Sequence, residues 1–119
     1  MSEIRLGAVE SKFADIIWNN EPLRPVELEK LAEAELNWKR TTTLTILKRL
    51  CERGIFQNKD RIITSLISRE EFYALQSEKF VNDTFEGSLP AFLTAFGSRK
   101  KLSDKEVEDL KKVIDSMRR

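Results

Sequence analysis

WKRTTTLTILKRLCERGIFQNKDRIITSLI, residues 38–67, changes its hydrophobic period partway along. Up to Arg53 the apolar residues Leu44, Leu47 and Leu50 keep i, i+3 spacing, with Ile46 alongside. That spacing predicts a helix over roughly Thr41 to Arg53. Gly54 follows, at the place where a glycine ends a helix in the left-handed conformation without a Cβ penalty. Ile55-Phe56 and Ile62-Ile63-Thr64-Ser65-Leu66-Ile67 are then short β-branched and apolar runs. Gln57 to Arg61 between them is polar and turn-like, so the stretch predicts a helix followed at once by a short β-hairpin.

Upstream, Ala8, Val9, Phe13, Ile16 and Ile17 fall on one face of a first helix that Trp18 closes. Asn19-Asn20-Glu21-Pro22 breaks the pattern. Pro25 opens a second helix, a tolerated first-turn position, with Val26, Leu28, Leu31 and Ala32 inward. Asn37 to Arg40 is a polar turn. Downstream, Ser68 and Glu71 have capping-box spacing, and a long helix is expected to run to about Glu86. Phe72, Leu75, Phe80, Val81 and Phe85 are its apolar residues. Gly87-Ser88 and Pro90 interrupt it, and Leu89, Phe92, Leu93 and Phe96 form a short apolar helix. After a loop at 97–101, Ser103 and Glu106 form a second capping box. The last helix carries Val107, Leu110, Val113, Ile114 and Met117 on one face. The class is mostly α with a small β-hairpin. Three helices and a hairpin make a winged helix-turn-helix domain over 1–68, followed by a helical tail over 69–119. In that architecture the helix before the hairpin enters the DNA major groove.

Composition narrows the function. The chain has 119 residues, 40% hydrophobic and 34% charged, enough for one small domain with an appendage. A net charge of +1 by itself argues neither for nor against nucleic acid. Cys51 is the single cysteine, which rules out an intrachain disulfide and a multi-cysteine metal site. There is no histidine, so the commonest general base and metal ligand are missing. The carboxylates sit at helix-surface spacing and no glycine-rich phosphate loop appears, so an enzyme and a cofactor are not expected. Residues 1–6 lack a cationic-then-apolar signal segment, and no apolar run approaches the roughly 20 residues of a membrane span. A cytoplasmic protein is the reading.

Positive charge is concentrated. Lys39, Arg40, Lys48, Arg49, Arg53, Lys59 and Arg61 stand between Trp38 and Arg61 against Glu52 and Asp60. The second helix is crowded with Glu27, Glu29, Glu33 and Glu35. Phosphates supply most of the affinity in a protein–DNA complex, so a basic patch on the third helix and hairpin has a direct use. The row Thr41-Thr42-Thr43 and Thr45 places hydroxyls at that helix's N-terminal end, where phosphate or base edges bind. Lys39, Arg40, Thr41, Thr42 and Thr45 are the candidate groove residues. Arg49 and Arg53 read as phosphate or structural contacts, and Lys59 and Arg61 as contacts from the hairpin. A solvated helix face with threonine capping is the plain alternative for the charge run alone. The tail's Phe72, Tyr73, Phe80, Phe85, Phe92 and Phe96 exceed what a short segment buries against itself. They pack back on the N-terminal domain or meet a second copy. Candidate homodimer residues are Phe72, Phe80, Phe85, Leu89, Phe92, Leu93, Val107, Leu110 and Ile114. Trp18 and Trp38 read as packing residues, and Cys51 as a semi-buried one without a resolving partner.

Leu6-Gly7-Ala8-Val9-Glu10, Ile16-Ile17-Trp18, and Trp38 followed by Thr42, Thr45, Leu47, Arg49-Leu50 and Gly54 together resemble the penicillinase repressor family. Phe80-Val81-Asn82 and the run from Leu102 to Leu110 resemble that family's dimerisation tail. The resemblance covers nearly the whole chain. It implies a repressor that binds palindromic double-stranded DNA operators as a homodimer and silences β-lactamase and related resistance genes. It also implies a membrane sensor-protease that acts on the C-terminal domain before a phenylalanine; the matching bond here is Ala95–Phe96. The chain departs from the family at Thr64-Ser65, where an aromatic pair is usual, and at Leu44, where polar or cationic residues are common. The cysteine cluster of the copper-responsive branch is absent. A winged-helix protein-interaction module without sequence-specific DNA binding is the alternative.

Overall fold

In the computed structural model, which describes residues 6–118, the helical periods become α1 (Ala8–Asn20), α2 (Pro25–Leu36) and α3 (Arg40–Glu52). The hairpin is β1 (Phe56–Lys59) and β2 (Ile62–Ser65), and α4 (Arg69–Phe85), α5 (Leu89–Gly97) and α6 (Asp104–Ser116) follow. The expectation for the N-terminal residues falls mostly outside the described residues, since 1–5 are not among them. No described helix is long and apolar enough to cross a membrane. The chain divides inside α4 into two compact units, one up to Ser77 and one from Glu78.

The first unit is a winged helix-turn-helix. Asn37, at φ 57°, ends α2 in the left-handed conformation, and the three residues Asn37–Lys39 turn the chain into α3. Gly54, at φ 79°, ends α3 as its position predicts. β1 and β2 pair antiparallel, with Phe56 opposite Ser65 and Lys59 opposite Ile62. The α1–α2 connection adds a one-residue third strand: Ile63 N–H donates to the Leu23 carbonyl at 2.8 Å. Beside it the Glu21 carboxylate accepts from the Ser65 backbone N–H at 2.7 Å and from its hydroxyl at 2.9 Å. The hairpin is thereby tied to the helices by backbone as well as side chains.

The core joins Phe13, Ala14, Ile16 and Ile17 of α1 to Leu28 and Ala32 of α2, Leu47 and Leu50 of α3, and Phe56 and Ile63 of the hairpin. Each fully buried large side chain contributes about 1.5–3 kcal/mol. Three predicted inward positions are exposed instead: Ala8, Val9 and Val26. Val9 and Val26 sit in the first turns of their helices, before the neighbouring elements cover them. On α3 the buried set is Thr43, Leu47 and Leu50, not Leu44, Leu47 and Leu50. Thr43 fits because its hydroxyl donates to the Lys39 carbonyl at 3.2 Å, which satisfies a polar group that has left water. The hairpin turn is also tighter than predicted. Gln57 to Lys59 are strand residues, and Leu66-Ile67 lie beyond β2.

Trp18 knits the unit together. Its ring packs on Phe56, Phe72 and Tyr73 with centroids 5.1, 5.6 and 6.0 Å away, and its Nε1–H donates to the Ile67 carbonyl at 3.0 Å. Trp38 packs on Phe13 at 5.0 Å. The first turns of α4 are held to α1 by the Arg69–Asp15 ion pair at 2.9 Å, with the same guanidinium 4.9 Å from the Tyr73 ring centroid. The cap of α4 is the Ser68 hydroxyl, which accepts from Glu71 N–H at 3.1 Å.

The second unit has an aromatic cluster in which Phe85 and Phe92 lie 5.6 Å apart, with Phe80 and Phe96 at its margins. The Ser103–Glu106 capping box forms as its spacing predicts. Hydrogen bonds from Ser103 hold the Glu106 carboxyl below its ordinary pKa, so that contribution is lost as pH falls through the lowered value. Neither α5 nor α6 has a buried residue.

Phe72, counted by sequence among the dimer residues, is 1% exposed within its own chain. Phe72→Ala should therefore destabilise the first unit by about 3–5 kcal/mol. Urea unfolding at several protein concentrations checks this: the loss should be the same at each, whereas a loss that changes on dilution would place Phe72 against a second copy.

Candidate nucleic-acid interface

Burying Thr43, Leu47 and Leu50 at i, i+4 and i+7 turns one side of α3 inward and defines the other. Thr41, Thr45, Lys48 and Glu52 run along that other side, all exposed. Two of the predicted groove residues, Thr41 and Thr45, are thus brought onto one stripe. Lys48 belongs to it but was noted in the sequence only as part of the charge run. Its position three residues after Thr45 and seven after Thr41 was the signal. Thr43, read with the hydroxyl row, is instead in the core and offers nothing to a ligand.

The remaining cations take three different places. Lys39 is the exposed N-cap of α3 and provides no side-chain cap. The first-turn N–H groups, which lack intrahelical acceptors, are therefore not closed by a cap side chain. Thr42 is exposed beside them. Arg40 lies toward α2, its Nε 3.1 Å from Glu29 Oε1. Arg49 lies on the opposite flank toward α1, its Nη1 3.3 Å from Glu10 Oε2. Glu10 has a second task, since its other oxygen accepts from the Gly7 N–H at 3.2 Å and closes the start of α1. Arg49 thus links α3 to α1. Arg53, the half-buried C-cap of α3, is no part of the outward stripe.

Lys59 and Arg61 are exposed at the hairpin tip. Asp60 and Arg61, the two central turn residues, have φ 54° and 63°. Positive φ at both positions is the type I′ turn that matches the strand twist, and its preferred sequence is Asn-Gly or Asp-Gly. Asp60 obeys the preference, but Arg61 stands where glycine would relax the backbone. A long cation kept at a strained tip position is consistent with a use for its charge.

Cys51 is half-buried; burial, and then the neighbouring Glu52, push its thiol above the ordinary value. A raised pKa favours the unreactive thiol, in keeping with a packing role. Among the described residues no group of His, Cys, Asp or Glu side chains could hold a metal ion.

In the second unit Val107 and Leu110 are half-buried, while Val113 and Ile114 of the same helix and its C-cap Met117 are exposed. Phe80 and Leu89 are exposed and Phe85, Phe92 and Leu93 half-buried. Ala95 and Phe96 lie in the last turn of α5, both exposed.

Comparison with known proteins matches residues 6–116 to a family model described as penicillinase repressor. The chain is similar to the methicillin resistance regulatory protein MecI of Staphylococcus aureus, 24% identical over 92% of this chain and 93% of that protein. It is 21% identical to the penicillinase repressor of Bacillus licheniformis, over 93% of this chain and 90% of that protein.

Arg61→Gly should stabilise the first unit by roughly 0.5–1 kcal/mol, the left-handed penalty less the freedom glycine adds to the unfolded chain. Thermal unfolding checks it, and an unchanged or lower midpoint would mean the turn carries no strain at Arg61.

Proposed function

Since the chain belongs to the penicillinase repressor family, whose members are transcriptional repressors, we propose that it binds a palindromic DNA operator as a homodimer. The observation that carries this is the outward stripe of α3. A helix whose inner side is committed to the core presents Thr41, Thr45 and Lys48 outward in the same unit as a strained, cationic hairpin tip. Thr41, Thr45, Arg40 and Lys48 contact base edges and phosphates in the major groove. Lys39, Thr42 and the first-turn N–H groups of α3 contact phosphate. Lys59 and Arg61 reach the backbone alongside. The N-terminal winged helix does the reading and the C-terminal helices do the pairing.

Pairing follows from the second unit's surface. Val113 and Ile114 on α6 and Met117 at its C-cap, with Phe80, Leu89 and Phe96, leave more apolar surface in water than so small a segment sustains alone. A second copy is the partner that two-fold operators require. Ala95–Phe96, in the exposed last turn of α5, is the bond a sensor-protease would meet once that turn frays. Release of the repressor would then follow from loss of the pairing surface. No cofactor enters this scheme.

Phosphate contacts make duplex affinity fall linearly with salt on logarithmic axes, by about 0.9 per contact. The wild type should show such a fall, and Lys59→Ala and Arg61→Ala should each lower the slope by about two contacts, one from each protomer of the bound dimer. A flat salt response would instead fit a module that binds protein. Ile114→Asp should convert the dimer into a monomer in size-exclusion chromatography with light scattering. An unchanged mass would remove α6 from the pairing surface.

A further inference from the structure

Arg40 is an exposed arginine at the first position of α3, and its side chain is 74% exposed while that of Glu29 is only 20% exposed. The ion pair therefore joins an exposed cation to a carboxylate largely covered by its own chain. The closest approach is through Nε at 3.1 Å, the nitrogen nearest the aliphatic stem. Nε is one of the guanidinium's donors; the two terminal nitrogens form the fork that pairs with planar acceptors. A shallow groove of about 210 Å³, lined by Val26, Glu29, Lys30, Glu33 and Arg40, lies along this flank of α2.

We propose that Glu29 is a positioning residue for base recognition: it holds Arg40 by Nε so that the terminal fork is presented to a guanine in the major groove. This rests on the operator-binding reading above and adds a residue to it. An arginine bidentate to guanine O6 and N7 is the commonest specific base contact, and its discrimination depends on the planar fork being held in register. A long flexible arginine without a partner reaches phosphates as readily as bases. One paired near its stem has that freedom narrowed and its fork biased toward one direction. The carboxylate also repels phosphates, so its presence lowers indiscriminate duplex binding. Glu29 thus trades affinity for any duplex against choice among duplexes. The sequence shows only four glutamates crowded on α2 and does not reveal that one of them serves α3.

The test is selection from a randomised duplex library wide enough for two half-sites, using the full-length wild type, Glu29→Gln and Arg40→Ala. Wild-type selection should return a symmetric motif with a strong guanine at one position of each half-site. Arg40→Ala should lose that guanine and keep the rest. Glu29→Gln should weaken the same guanine by about two- to fivefold while binding unselected duplex more tightly than the wild type does. Thermal unfolding of each variant separates this from a loss of fold, because a structural role for Glu29 would lower stability and weaken every position alike. A Glu29→Gln motif identical to the wild type's, or one weakened at positions other than Arg40's, overturns the assignment. A wild type that enriches no motif overturns the operator-binding reading itself.

Discussion

The commitment of one side of α3 to the core is the constraint on which the rest of the molecule depends. Thr43, Leu47 and Leu50 are packed inward, and Leu47 and Leu50 belong to the same buried cluster as residues of α1, α2 and the hairpin. Once these three are buried, helical geometry leaves no choice about which residues look outward. The hairpin is then fixed to that core twice, by the Leu23–Ile63 bridge and by Glu21 on Ser65. The outward stripe and the wing tip are therefore parts of one rigid unit. Neither requires its own stabilising contacts, which frees Thr41, Thr45, Lys48 and the tip cations for another partner.

The charges follow the same logic. A net charge of +1 is too small to draw the whole molecule to a polyanion. What matters is where the cations are and which of them are already engaged. Exposed ion pairs contribute little to stability, about 0–1 kcal/mol each. Glu10–Arg49 and Glu29–Arg40 are thus better understood as geometry than as adhesive. One links the beginning of α1 to the late turns of α3 and the other links α2 to the beginning of α3, so the helix is steered at both ends. Lys39, Lys48, Lys59 and Arg61 lie outside these two pairs.

Much of this was legible beforehand because it is local. The helix–hairpin order, the stop at Gly54 and the caps at Ser68 and Ser103 are set by residues within a few positions of one another. What escaped the sequence is set by distant or competing effects. Leu44 looks more apolar than Thr43, yet Thr43 goes inside because its hydroxyl finds the Lys39 carbonyl one turn back. Gln57 to Lys59 look like turn residues, yet pairing with Ile62–Thr64 makes them strand and moves the turn onto Asp60-Arg61. Phe72 looked like part of the tail, yet Trp18 draws it into the first unit across more than fifty positions of chain. The partners of Arg40 and Arg49 come from other helices, and nothing in the local pattern announces them.

The two units also divide the thermodynamic work unequally. The first buries large side chains such as Phe13, Phe56 and Phe72 completely, whereas α5 and α6 bury none. The exposed Val113, Ile114 and Met117 cost free energy in water that only an added surface recovers. In the proposed dimer that recovery comes from a second tail, and it has a consequence at the other end of the chain. A single winged helix with a handful of available cations binds a duplex weakly at physiological salt. Once one head of a linked pair is bound, the second meets its half-site at a high effective concentration, and the affinities compound without any new contact. On that proposal, apolar surface in the tail sets how strongly a modest basic face acts. Any event that removes the tail's pairing would return each head to its own weak, salt-sensitive binding.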